Sequence, residues 1–460
     1  MPPSTHTTLE RRLGPFDAAA IIVANVIGSG ILFLPPVIAS MVPHPIWFLS
    51  TWIAGGVLAF AGAMAYAELA TLRPRAGGEY VYLREAYGPL AGFMTGWTSF
   101  VAGFAGAMAA SAIFLIFVLD RFIPGVADST PFFAIPLPYL PLTLSRHTLL
   151  AIIAVWLFAL VHIRGVGPGR VVMNVLATLK VTALLVFIAL GFTIGTGAAT
   201  NLQQVAGPVS ATNWLLALVP VMFTYSGWNA AAYMAEEIRD PGRNVPLALL
   251  AGTIGVIIIY GLLNTLYLYA MPVGELAAVK GSVFDLIGER VLGERAGDVL
   301  GLVAIVGVAA GLNAWTFAGP RIYYAMARDG VFFPAAAKVH PRFKTPHVSI
   351  GAQAAWASVL ILTGSLDILT NYVGFAIILF AGIAVAAVFV LRAREPNAPR
   401  PYKTLGYPIA PAIFVLASLA IVVNAIFRNP GPSGLGLLVM AAGIPLYMWL
   451  TRRRRAGEPT

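Results

Sequence analysis

Apolar residues along this chain gather into twelve blocks, most of them long enough to cross the ~30 Å hydrocarbon layer of a bilayer as a helix. The blocks run over about 16–39, 46–72, 89–119, 147–164, 172–194, 212–236, 246–270, 297–327, 349–364, 368–392, 406–427 and 433–451. Basic residues fall unevenly between them. Arg11 and Arg12 precede the first block, and Arg73, Arg75 and Arg84 follow the second. Arg164 and Arg170, Arg239 and Arg243, Arg328 to Lys344, Arg392 to Lys403 and Arg452 to Arg455 follow the fourth, sixth, eighth, tenth and twelfth. The alternate connections are poor in Lys and Arg or set acids beside them, as at Glu275, Asp285, Glu289, Glu294 and Asp298. The positive-inside rule then places both termini in the cytoplasm, in agreement with an even number of spans. The pattern predicts an all-α polytopic protein of the inner (plasma) membrane with twelve transmembrane helices.

Two blocks are interrupted. The first contains Ala24-Asn25-Val26-Ile27-Gly28-Ser29-Gly30-Ile31, and the sixth contains Phe223-Thr224-Tyr225-Ser226-Gly227-Trp228-Asn229. Glycine and serine stand where a membrane helix would continue. An unpaired backbone N–H or C=O in hydrocarbon costs several kcal/mol, so a helix opened at mid-membrane needs a partner there. In transporters that partner is the substrate. Residues after each break start a half-helix with free N–H groups and a positive dipole end, suited to a carboxylate with help from the Ser29 hydroxyl. Residues before each break, Asn25 to Ile27 and Phe223 to Tyr225, end a half-helix with free carbonyls, suited to an ammonium. The zwitterionic backbone of an amino acid fits two such ends better than a sugar, a metal ion or a lipid. A Gly-Ser-Gly run also serves as a small-residue packing patch; its recurrence at matching positions favours the break.

The breaks lie five blocks apart. Blocks one to five and six to ten therefore run in opposite senses through the membrane, which is the inverted-repeat arrangement. The expected organisation is a cytoplasmic tail at 1–15, one repeat at 16–194, a second at 212–392, two accessory helices at 406–451 and a basic tail at 452–460. The segment 74–87 reads as a short amphipathic helix at the cytoplasmic interface, serving as a gate or as a connector, and 330–346 as a similar one.

Composition narrows the function. The chain has 460 residues, of which 59% are hydrophobic and 10% charged, and its mean hydropathy is +0.83. Soluble domains carry about a quarter charged residues. A net charge of +10 would suggest a nucleic-acid partner in a soluble protein; here the charges are topology signals, and none is expected. Cysteine is absent, and the six histidines show no ligand spacing. No Walker motif, metal cluster or catalytic triad is visible, so neither a cofactor nor an enzymatic reaction is expected. The first block is too long for a signal-peptide core and no cleavage site follows it.

The same residues carry a family resemblance. Val26-Ile27-Gly28-Ser29-Gly30-Ile31 resembles the first-helix signature of the amino acid–polyamine–organocation superfamily. Phe223 to Asn229, with Ala235-Glu236-Glu237-Ile238-Arg239-Asp240-Pro241-Gly242-Arg243-Asn244-Val245-Pro246, resembles its sixth helix and following loop, in a form most similar to L-type amino acid transporters and their bacterial relatives. Leu312 to Thr316 and Ala327 to Phe332 resemble the eighth helix of basic amino acid antiporters such as the arginine/agmatine antiporter. The resemblance implies a LeuT-type 5+5 inverted repeat, with helices one and six broken, plus two helices. It implies substrate binding by Val26, Ile27, Gly28, Ser29, Gly30, Ile31, Phe223, Thr224, Tyr225, Ser226, Gly227, Asn229 and Trp315, with Phe223 and Trp315 as gates. It also gives Lys180, a costly mid-membrane cation, the place of a sodium ion, bridging helices one and eight.

At Asn229 the antiporter has an acid and this chain a neutral amide. Glu236 and Glu237 read as loop anchors paired with Arg239 or Arg243, so no free acidic proton carrier is expected at the pocket. Asn264 and Tyr267 could line the path or bond between helices. The function expected is sodium-independent transport of neutral L-amino acids by alternating access, with exchange favoured over proton symport. The alternatives are an antiporter of basic amino acids and amines, a proton-coupled symporter, or an amino-acid sensor on the same scaffold. The expected partners are an amino-acid substrate and the lipid bilayer; nothing in the pattern fixes an oligomeric state.

Overall fold

The computed structural model describes residues 11–28, 30–135, 142–363, 366–428 and 430–455. Among these residues, nine helices are long and apolar enough to cross a membrane, and three shorter apolar ones, Ala211–Tyr225, His347–Leu362 and Gly436–Arg452, fall on the sixth, ninth and twelfth blocks. Proline opens several of them, at Pro15, Pro45, Pro89 and Pro241. A first-turn residue has no helical acceptor for its N–H, so proline loses nothing there.

Burial sorts the helices into an inside and an outside. The third segment, Pro89–Leu119, is enclosed almost throughout, whereas Arg146–Ile163, Gly167–Thr193 and Ile409–Arg428 leave most of their apolar windows uncovered. Leu157, Val171, Leu179, Leu185, Leu416, Leu419 and Phe427 are exposed. In water such a surface would aggregate; in hydrocarbon it needs no cover.

Packing partners come in exchanged pairs. The first segment packs on the fifth (Val166–Thr193) and seventh (Pro241–Ala270), and the sixth packs on the tenth (Leu366–Arg394) and second (Pro45–Leu72). The third packs on the ninth and tenth, and the eighth (Glu294–Ala318) on the fourth and fifth. Swapping segments one to five with six to ten maps these contacts onto one another. The eleventh and twelfth lie outside the exchange, against the second, third, sixth and tenth.

Two expectations change, and the all-helical bundle carries one small addition, an antiparallel hairpin of Pro131–Ile135 and Leu142–Ser145 between the third and fourth segments. The segment 330–346 forms only a short turn of 3-10 helix, Pro334–Ala337. The helix Glu79–Tyr87 is not a surface helix, since Glu79, Tyr80, Val81, Tyr82 and Leu83 are all buried. Where the chain enters the first segment, Leu13 pairs with Ile238 beyond the sixth, through Leu13 N–H to Glu237 O at 3.0 Å and Arg239 N–H to Leu13 O at 2.9 Å. This end of the bundle is called the N-terminal face below.

Candidate functional site

Both predicted breaks are present. The first segment is helical over Pro15–Val26, opens at Ile27 and Gly28, and resumes over Gly30–Phe33. Ser29 lies outside the described residues. The sixth is helical over Ala211–Tyr225, turns extended at Ser226, takes a φ of 99° at Gly227 and resumes over Ala230–Tyr233. The breaks face each other closely enough to exclude side chains. A Cβ at Gly227 would stand 2.6 Å from Asn25 Cβ, and one at Gly30 would stand 2.9 Å from Thr224 Oγ1 and 3.0 Å from Thr224 Cα. From the eighth segment, a Cβ at Gly311 would stand 3.6 Å from Gly28 Cα.

The opened carbonyls are not left for a substrate alone, as the sequence suggested. The Lys180 ammonium donates to Ile27 O and, at 3.3 Å, to Ala24 O. Its stem runs beside the eighth segment, where a Cβ at Gly307 would lie 3.4 Å from Lys180 Cδ. Ser226 N–H donates to Phe223 O at 3.0 Å. The Tyr260 hydroxyl, from the seventh segment, reaches Val26 O at 2.6 Å and Thr224 O at 3.1 Å, so one proton serves both breaks. Trp52 and Tyr225 hold the Tyr260 ring, with centroids at 5.8 and 5.0 Å. Sequence reasoning missed Tyr260 and named its neighbours. Tyr267 OH reaches Ile31 O only at 3.5 Å, and Asn264 Nδ2 donates to Tyr260 O within its own helix. Because losing a buried donor strands its acceptors at about 1–3 kcal/mol, Tyr260→Phe should weaken substrate binding roughly tenfold or more. Unchanged affinity in a direct binding assay on the purified variant would refute this.

A cavity of about 40 Å³ adjoins the sixth-segment break, lined by Ser226, Gly227, Asn229 and Tyr233, by Glu79, by Thr98, Ser99, Gly103 and Phe104 of the third segment, by Trp315, and by Ala376, Ile377 and Phe380 of the tenth. It has room for a few waters at most, so a larger solute enters only if the walls move. Trp315 stands edge-on to Phe104 at 5.5 Å, and Phe104 edge-on to Tyr233 at 5.2 Å. Phe223 is buried but lies outside this wall, with its Cβ against Gly374. The third segment meets the cavity through a π-helical turn, Ser99–Gly103. Such turns disturb the helical ladder and frequently mark functional sites. Here Ser99 O receives Tyr323 OH at 3.1 Å and Val101 O receives Trp356 Nε1 at 2.9 Å.

An acid does sit at the pocket. Glu79 Oε1 accepts from Asn229 Nδ2 at 2.8 Å and from the Tyr66 hydroxyl, and Oε2 faces Thr95 Oγ1 at 3.4 Å. Asn229 also donates to Tyr233 OH at 2.9 Å. Burial raises the Glu79 carboxyl above its ordinary value, against the donors Tyr66, Tyr233, Thr95 and Asn229, which pull it down. The expectation of a pocket without a carboxylate is therefore corrected. The Gly-Gly turn at Gly77 and Gly78, with φ of 113° and 48°, folds Glu79 inward from what the sequence presents as a loop. The acids that were noticed have other partners than expected. Glu236 pairs with Arg328 at 3.1 Å and accepts from Ala76 N–H at 3.0 Å. Glu237 is fully buried and pairs with the equally buried Arg321 at 2.9 Å.

Comparison with known proteins supplies a context for this geometry. The sequence pattern of the amino acid permease family matches residues 13–450. The chain is 31% identical over 451 residues to the mouse (Mus musculus) large neutral amino acids transporter small subunit 2, covering 95% of this chain and 81% of the relative. It is 26% identical over 448 residues to the serine/threonine exchanger SteT of Bacillus subtilis, covering 97% and 98%. It is 28% identical over 451 residues to the mouse Asc-type amino acid transporter 1, covering 96% and 82%.

Proposed function

The chain belongs to the amino acid permease family, and from that premise we propose that it is a sodium-independent exchanger of neutral L-amino acids working by alternating access. The observation that carries this reading is the junction of the two breaks. Backbone of the first and sixth segments meets side to side at Gly227 on Asn25 and at Gly30 on Thr224, and half-helix starts at Gly30 and Ala230 lie beside it. Ala230 N–H is already engaged by Gly227 O at 3.0 Å, so the start at Gly30 is the end that would receive a carboxylate at mid-membrane, where solvent competes least. The exchanged packing of segments one to five with six to ten supports a LeuT-type 5+5 repeat, with the eleventh and twelfth as accessories. By the positive-inside rule, the loops rich in Lys and Arg support an orientation with the N-terminal face and both termini on the cytoplasmic side of the plasma membrane.

The neutral preference rests on two supports. The relatives are named for large neutral amino acids and for serine and threonine. Within the cavity, Glu79 is engaged by Asn229 and Tyr66, so a cationic side chain would have to displace donors already in place. Trp315 and Phe104 offer aromatic cover to an apolar or small side chain. The mouse relative is named a small subunit; this chain has no cysteine, so we read it as working without a disulfide-linked partner. Glu79 also supports a second reading, a carrier of cations or protons.

The test is counterflow into proteoliposomes, preloaded or empty, against a panel of amino acids. Serine, alanine and leucine should compete with labelled neutral substrate, and uptake should require internal amino acid. If arginine or agmatine competes best, or if empty vesicles accumulate substrate, the neutral-exchanger reading fails.

A further inference from the structure

Glu79 enters the exchange reading only as a carboxylate already engaged by Asn229 and Tyr66; its protonation is left without a task. The residue stands where three elements meet. Tyr66 belongs to the second segment, Asn229 and Tyr233 to the second half of the sixth, and Glu79 itself to the helix Glu79–Tyr87 that closes the N-terminal face. The same contact is tightened around it. Gly77 N–H donates to Tyr233 O at 3.2 Å, and a Cβ at Gly78 would stand 2.3 Å from the Tyr233 ring. The second half of the sixth segment is thus seated on the start of this helix, with the carboxylate bonded across the seam.

The groups that face Glu79 are neutral donors: Tyr66 from the second segment, Thr95 from the third, Asn229 and Tyr233 from the sixth, with Tyr82 on its own helix. The charges on the surrounding elements are paired with one another instead. Arg84 pairs with Asp329, Arg73 with Glu85 and Glu395, Arg328 with Glu236, Arg321 with Glu237 and Arg392 with Glu68. Among the described residues no cation bonds to Glu79. A buried carboxylate held only by neutral donors is a group that a proton can neutralise without breaking an ion pair.

We propose that Glu79 is a proton-binding site that controls opening of the N-terminal face. This rests on the transport reading. As the carboxylate, Glu79 receives charge-assisted bonds from Asn229 and Tyr66, which are roughly twice as strong as neutral ones. One proton from the aqueous phase binds a carboxylate oxygen, removes the charge and turns that oxygen into a donor toward Thr95 or Tyr233. The hold on the sixth segment's second half weakens, and that half is freed to swing from Glu79–Tyr87. Opening is then favoured as pH falls.

The test compares the wild type with Glu79→Gln, which fixes the neutral state. Counterflow by the wild type should rise as pH falls from about 8 to about 6, by at most about tenfold per pH unit, the limit for one titrating group. Counterflow by E79Q should be flat across that range, at the rate of the acid limit. Infrared difference spectra of the purified full chain between the same pH values should show the C=O stretch of a protonated carboxyl, absent in E79Q. A wild-type pH slope retained in E79Q, or an unchanged infrared band, overturns the proposal. If the wild type moves no amino acid but shows the band and loses it in E79Q, the transport reading falls and the proton site stands. Should E79Q fail to accumulate, Glu79→Asp carries the test: a displaced pH midpoint supports the site, and an unmoved one overturns it.

Discussion

Gly227→Ala should reduce substrate binding by roughly a hundredfold, whereas Gly255→Ala should leave it unchanged. Position 227 has a φ of 99°, a region in which an L-residue is strained, and its added methyl would stand 2.6 Å from Asn25 Cβ and 3.1 Å from Asn25 C. Strain of about 1–2 kcal/mol and overpacking of about 1–3 kcal/mol act on the same contact. A combined cost near 3 kcal/mol corresponds to about a hundredfold. Because the obstacle is the backbone of the first break, the two half-helices must separate, and the groups aimed at one ligand no longer converge. Gly255 has nothing within 4 Å of an added methyl, so it controls for glycine loss as such. Gly30→Val should act in the same direction, since its neighbour is the Thr224 backbone at 3.0 Å and cannot rotate away. Direct binding on purified protein is the measurement. Wild-type affinity in either Gly227→Ala or Gly30→Val would place the site elsewhere.

The membrane segments were legible because hydrophobicity in blocks is a one-dimensional signal. Each apolar block has its helix, and the two breaks fall where glycine and serine interrupt the run. Lys180 was legible for a related reason: a cation among apolar residues announces its own cost. Glu79 was not. It sits in a stretch of mixed charge between two blocks, beside Arg75, Arg84 and Glu85, and nothing local distinguishes it from a solvated acid. Its partners are 13, 16 and 150 residues away, and only the positive φ at Gly77 and Gly78 turns it inward. Tyr260 escaped notice in the same way. A tyrosine in an apolar helix is ordinary, and its two carbonyl partners lie 234 and 36 residues back along the chain.

Tyr260 and Lys180 change what the breaks mean. A sequence reading treats an opened helix as a set of unmet hydrogen bonds awaiting a ligand. In the folded chain Tyr260, Lys180 and the turn at Ser226 already satisfy Val26, Thr224, Ala24, Ile27 and Phe223 carbonyls. The breaks are therefore stable without a substrate, as a carrier that must return or reload requires. The binding energy of a ligand is then left for closing the cavity, since a ligand shifts a conformational equilibrium only by its differential affinity.

Lys180→Ala should lose most transport, about ten- to a hundredfold, while still reaching the membrane. The ammonium holds Ala24 O and Ile27 O, and hydrogen bonds to a charged group contribute about 1.5–3 kcal/mol each when buried. Those carbonyls end the first half-helix, so their release lets the break drift from the geometry that Gly227 and Gly30 fix. Alanine also removes the stem that lies along Gly307, which would confuse packing with charge. Lys180→Met restores the volume without the ammonium and should be as inactive as alanine. On the proposal that the Lys180 ammonium takes the place of a sodium ion, wild-type uptake should be the same when external sodium is replaced by choline. Full transport by Lys180→Met would show that the stem and not the charge is needed. A reproducible dependence of wild-type uptake on a sodium gradient would show that Lys180 does not stand in for the ion.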